Sequence, residues 1–140
     1  MRPIIEDVRT YLCGFPGLRD GLFGVDYLGS EPTGYTVEAM PCDPVLRQYT
    51  DGSAMKQFLF VFASRETHGA DVTENTANMA FYEALERWLR TNDDRGILPV
   101  LDGREACGIE VLTSGYVLDA DSSAARYQMQ VRLTYLEEVN

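Results

Sequence analysis

The run KQFLFVFASR at residues 56–65 decides the fold. In an extended chain Phe58, Phe60 and Phe62 point to one side, and Leu59, Val61 and Ala63 to the other. Both sides are apolar, the pattern of a strand covered on both faces. Five large apolar side chains buried here contribute on the order of 10 kcal/mol gross, at roughly 1.5–3 kcal/mol each. A helix fits poorly, because the run is short, rich in aromatic and β-branched residues, and begins just after Asp51-Gly52. These residues form the central strand of a sheet, and none of them carries chemistry.

Upstream, Val45 to Tyr49 leads through Thr50-Asp51-Gly52-Ser53 into that strand. Asp-Gly between two extended segments signals a hairpin, since both residues tolerate positive φ. Its first half is polar (Arg47, Gln48, Lys56, Gln57), so the hairpin either stands out from the body or folds back on it. Pro41 and Pro44 interrupt the extended run, so the residues between them cannot form a central strand. Tyr35 to Met40 alternates as a strand, preceded by a turn at residues 31–34 and a short strand at Val25 to Leu28. Pro3 to Leu12 places Ile4, Ile5, Val8, Tyr11 and Leu12 on one helical face, with Pro3 at the start and Gly14 and Pro16 stopping it.

Downstream, Val72 to about Arg90 predicts the main helix, with Asp71 and Glu74 at capping-box spacing. Ala77, Phe81, Ala84, Leu85, Trp88 and Leu89 form its inner stripe. The helix ends at residues 92–94, a loop follows to Gly103, and Ala106 to Leu112 is a strand. Thr113-Ser114-Gly115 turns into a strand starting at Tyr116, and residues 119–123 form a polar turn. In the last strand Ala125, Tyr127, Met129, Val131, Leu133 and Tyr135 alternate with Arg126, Gln128, Gln130, Arg132 and Thr134, the signature of a half-exposed antiparallel strand. The expected fold is α+β: one domain over residues 1–140, a twisted, mostly antiparallel sheet, two helices on one face and a protruding hairpin.

The 140 residues carry a net charge of −10 and 45% hydrophobic residues, a globular composition that opposes a tight grip on phosphates. No retention of duplex DNA is expected unless Arg126 and Arg132 build a basic patch. No apolar run reaches the roughly 20 residues that span a bilayer. The acids Asp51, Glu66, Asp71, Asp93, Asp94, Asp119 and Asp121 are placed in loops or turns. Cys13, Cys42 and Cys107 lack metal or disulfide spacing and read as reduced, mostly buried thiols.

Catalytic motifs are missing from the sequence. His68, the one histidine, lies near Glu66 and Asp71 without a nucleophile elbow or a Cys–His signature, and reads as an exposed loop residue. Asp119 and Asp121 begin no calcium loop, because the Gly and closing Glu are missing. Neither a P-loop nor a dinucleotide fingerprint is present. The expectation is a protein without catalytic, cofactor or metal residues.

Four segments carry a resemblance: VDYLGSEPTGYTVEAMP at 25–41, DGSAMKQFLFVFASRETHG at 51–69, NTANMAFYEALERWL at 75–89 and ARYQMQVRLTYLE at 125–137. Together with the order of elements they resemble the tail-terminator (tail-completion) proteins of tailed bacteriophages, also filed as phage minor capsid proteins. The resemblance implies a virion subunit, assembled in the host cytoplasm, that forms a six-membered ring with itself on the end of a tail tube. Its other partners would be the tail tube protein and the head–tail connector. DNA would pass through an acidic lumen without specific binding, and no membrane or enzyme activity is implied. Acetyltransferases filed under drug resistance use His-His-x-x-x-Asp-Gly, which Thr67-His68-Gly69-Ala70-Asp71 does not match. A head–tail connector or neck protein is the alternative within phage structure, and a small enzyme around His68 or a free adaptor the alternative outside it. Candidate subunit-interface residues are Val45, Arg47, Tyr49, Asp51, Gly52 and Lys56 on the hairpin, with Glu66 and Asp71 on the loop beyond the central strand.

Overall fold

In the computed structural model, which describes residues 1–18, 23–29, 34–69, 72–120 and 124–138, the chain begins with α1 (Ile4–Leu12), β1 (Phe23–Val25), β2 (Gly34–Ala39) and β3 (Val45–Gln48). It continues through β4 (Ala54–Thr67), α2 (Val72–Arg95), β5 (Glu105–Val111), β6 (Tyr116–Ala120) and β7 (Ala124–Glu137). This is an α+β fold with a seven-stranded, mostly antiparallel sheet. The predicted central strand is β4, two residues longer than KQFLFVFASR at each end. It pairs with β7 over its full length, from Ala54↔Glu137 to Thr67↔Ala124. Shorter strands flank this ribbon: β3 and β2 along the outer edge of β4, β6 and β5 along the outer edge of β7.

Strand alternation sorts the side chains. Phe60 and Phe62 of β4 join Tyr35 and Val37 of β2, Ile109 and Val111 of β5, and the odd-numbered residues of β7 under the two helices. Ile4, Val8 and Leu12 of α1 complete this core with Phe81, Tyr82, Leu85 and Leu89 of α2. The opposite face is not apolar in the manner expected of a doubly covered strand. Val61 and Ala63 are buried there, yet Glu38, Arg126, Gln128, Gln130 and Arg132 share that face by register. Long polar side chains, with their carbon stems lying over small apolar ones, do the covering.

The inner stripe of α2 is Asn78, Phe81, Tyr82, Leu85, Leu89 and Asn92, and Ala77 is exposed. The expected stripe followed apolar residues alone, whereas Asn78 and Tyr82 are buried because the sheet offers them partners, and Asn92 because Tyr11 of α1 does. The helix runs past residues 92–94 to Arg95, where Gly96 (φ 72°) ends it. Ile97 N–H donates to Asn92 O at 2.8 Å and Gly96 N–H to Asp93 O at 3.1 Å, the Schellman arrangement that satisfies the last carbonyls. Asp93 lies in the last turn of the helix, yet its Oδ1 accepts the Ile109 N–H at 3.0 Å and ties α2 to β5.

The first strand falls two residues earlier than Val25–Leu28 and pairs parallel with β2. Asp26 adopts φ 53°, which turns the chain straight after Val25. Its N–H then donates to Val37 O at 2.8 Å and its Oδ1 accepts the Ala39 N–H at 3.2 Å. Of the predicted turn at residues 31–34, Gly34 opens β2 and the rest lies outside the described residues. Cys13 and Cys107 are exposed rather than buried, since one caps α1 and the other sits at an irregularity of β5; all three thiols are free.

Candidate functional site

The hairpin closes with a three-residue loop. Gly52 N–H donates to Tyr49 O at 3.0 Å, Tyr49 N–H to Ser53 O at 2.8 Å, and Gly52 takes φ 90°. Positive φ at that place is where glycine costs least. Asp51 Oδ1 accepts from Ser53 N at 2.9 Å and Ser53 Oγ at 2.6 Å, and these bonds hold its carboxyl below its ordinary pKa. All four residues of β3 are exposed, with Val45 at 41% and Leu46 at 47%. The Arg47 guanidinium lies 5.8 Å from the centre of the exposed Tyr49 ring.

This hairpin is not a free two-stranded arm, nor does it fold back over the core. Its second strand is the start of β4, which pairs with β7 on its other side. Lys56 bonds Glu137 of β7 at 2.7 Å, and that hydrogen bond raises the Lys56 pKa. Val45, Arg47, Tyr49, Asp51, Gly52 and Lys56 therefore gather at one end of the long ribbon, with one bare strand edge.

Glu66 is elsewhere. It sits in β4 itself, 1% exposed, ten residues along the strand from Lys56, a separation of about 33 Å at the usual strand rise. The strand continues past Arg65 because Glu66 and Thr67 still find partners in Ala125 and Ala124 of β7. Its side chain is therefore inside the subunit and not on a loop surface. Asp71 lies outside the described residues. Asp93 and Asp94 belong to α2 and Asp119 to β6, so among the expected loop acids Asp51 is the described one that sits in a turn.

Around Glu66 the core turns polar. Ser64 Oγ and Tyr82 OH are 2.7 Å apart, Tyr82 OH reaches Tyr127 O at 3.1 Å, and Asn78 Nδ2 donates to Thr67 O at 2.8 Å. Burial pushes the Tyr82 phenol far above its ordinary pKa, so this hydroxyl stays protonated and able to donate. His68 is half-buried, not the exposed loop residue expected, and its ring meets the Tyr127 ring edge-on at 6.2 Å. The hydrogen bonds among Ser64, Tyr82, Tyr127, Asn78 and Thr67 tie α2 to the β4–β7 ribbon, while His68 joins by ring contact and its buried Nδ1 has no hydrogen-bond partner among the described residues. Among the described residues no three His, Cys, Asp or Glu side chains converge in the manner of a cation site.

Two arginines on the helix-free face are ion-paired. Arg126 forks onto Glu38 at 2.8 and 3.2 Å, across β4, and Arg132 meets Glu110 at 2.6 Å. Between α2 and the β5–β6 turn an open hollow is lined by Glu83, Glu86, Arg87, Arg90 and Asp94. There the Glu86 carboxyl is held below its ordinary pKa, first by a hydrogen bond from Ser114 and then by Arg90. No helix among the described residues is long and apolar enough to cross a membrane.

The chain matches no protein-family model, and no curated protein matches it significantly. The strand expected from Tyr116 is β6, but it runs on through Asp119 and Ala120, which read as turn, and none of its residues stood among the candidate interface residues, although exposed Val117, Leu118 and Asp119 mirror the make-up of β3. The signal was present as a hydrophobic pair followed by a charge in both strands, Val45-Leu46-Arg47 and Val117-Leu118-Asp119.

Proposed function

We propose that this chain is a structural, ring-forming subunit of the phage tail-terminator kind. In this reading six copies close a ring on the end of a tail tube, stop its growth and offer a joining surface to the head connector. The observation that carries it is the bare β3 edge at the end of a ribbon fourteen residues long. Strand edges with unpaired N–H and C=O groups are templates for adding another chain, and subunits usually blunt or cover them. A rigidly rooted, uncovered edge with apolar and charged side chains suits a repeating contact between copies. The net charge of −10 suits a lumen through which DNA slides without sticking. The ion-paired state of Arg126 and Arg132 weighs in the same direction. The reading assigns no residue a catalytic role.

Negative-stain imaging of the purified chain, alone and mixed with tails, tests this. Rings capping the head-proximal end of tails are expected. Rings seated on heads instead would favour the connector or neck role, and particles that never form rings in either sample would overturn the reading.

A further inference from the structure

We infer that the joint between copies is the β3 edge of one subunit added antiparallel to the β6 edge of the next, with Arg47 beside Asp119. This rests on the ring reading above and specifies its interface. Among the described residues, β3 and β6 are the strands with a run of four exposed residues, bare on both faces. They lie on opposite edges of the sheet and at opposite ends of the ribbon: β3 beside residues 54–56 of β4, β6 beside residues 125–128 of β7. Two different patches on opposite sides of a subunit give a head-to-tail contact, which repeats until it closes.

Strand direction fixes the pairing. β3 is antiparallel to β4, β4 to β7, and β7 to β6, so within one subunit β3 and β6 run in opposite directions. Neighbours in a six-membered ring differ by a sixth of a turn, which preserves those directions in the main. The β3 of one copy therefore meets the β6 of the next antiparallel. Both strands also carry one extra residue against their inner partner: the register shifts between Val45 and Arg47, and again between Val117 and Asp119. Laid antiparallel, the irregularities coincide. Val45 then falls beside Ala120 and Gln48 beside Val117 on the helix side of the sheet. On the other side Leu46 lies opposite Asp119 and Arg47 opposite Leu118, which leaves Arg47 and Asp119 diagonal neighbours across the joint.

An irregular edge is a poor template for a regular strand, which disfavours indiscriminate pairing along either edge. Charge selects the same pairing, since cross-strand neighbours of opposite sign attract and like charges repel.

The test is a pair of charge reversals, Arg47→Asp and Asp119→Arg, sized by native mass spectrometry. Both sites are exposed, so circular dichroism should match the parent. Each variant alone places like charges at every joint, and its assembly should weaken at least about tenfold per joint. Mixing the two should restore rings with equal numbers of each variant. In an alternating ring every joint again holds one acid and one base: either both reversed side chains meet, or the unchanged Arg47 of one variant meets the unchanged Asp119 of the other. A misfolded variant would not be rescued in this way. Parent rings that persist in both single variants, or single variants that fail to complement on mixing, overturn this joint and leave the ring reading standing. A parent that stays monomeric at every concentration and on tails overturns both.

Discussion

The two halves of β4 share a backbone partner and differ in everything else. From Phe60 to Ser64 every residue is buried, roofed by α2 and flanked by β2. From Met55 to Leu59 every residue is half-buried, and the flanking strand is the bare β3. Because β7 backs both halves, the difference does not lie in how firmly the strand is held. It lies in what is left for another molecule to cover. One half commits its side chains to the subunit's own stability, and the other presents a rigid edge outward.

The largest effect should come from the covered half. Phe62→Ala removes a ring packed against Phe23, Tyr35, Phe81 and Tyr82, and should cost about 3–5 kcal/mol. Leu46→Ala on β3, beside the other half, should change stability by less than about 0.5 kcal/mol. Urea unfolding of both variants breaks the comparison if the two losses come out alike.

An intermediate effect belongs to the buried polar cluster. Tyr82→Phe keeps the ring stacked on Tyr127 but strips the hydroxyl from Ser64 Oγ and Tyr127 O. A loss of about 1–3 kcal/mol is expected from the polar atoms left behind. Thermal unfolding that shows no loss would mean the hydroxyl network adds nothing to the packing around it.

The smallest effect sits at the hairpin tip. Asp51 has a folded pKa below its ordinary 3.8, so the turn gains stability above that value and loses it as pH falls through the lower folded one. The NMR shift of the Ser53 amide should therefore titrate with a midpoint below 3.8. A midpoint at or above 3.8 would show that Asp51 is not held by Ser53 in solution.

Much of this division was legible in the sequence. The alternation in β7 and the aromatic run of β4 gave the sheet, and Asp51-Gly52 gave the turn. Residues whose burial depends on a distant partner were not legible. Glu66 reads as a loop acid until Ala125 is seen to extend the strand beside it. Asn78 and Asn92 are absent from the stripe that apolar spacing predicts, and they are buried because Thr67 O and Tyr11 OH accept from them. The hairpin's integration was hidden for the same reason, since the pairing of Ala54 with Glu137 joins residues far apart in the chain. Local pattern fixes the period of an element, and tertiary pairing decides where it ends.

Hydrogen exchange on dissociated and assembled protein tests the central claim most directly. The account predicts that those amides of Val45–Gln48 that point away from β4 exchange fast in the lone subunit and become protected on assembly, while those of Phe60–Ser64 are slow in both. Exchange across residues 45–48 that is the same in both states would contradict it, since an edge that joins subunits cannot remain open to water.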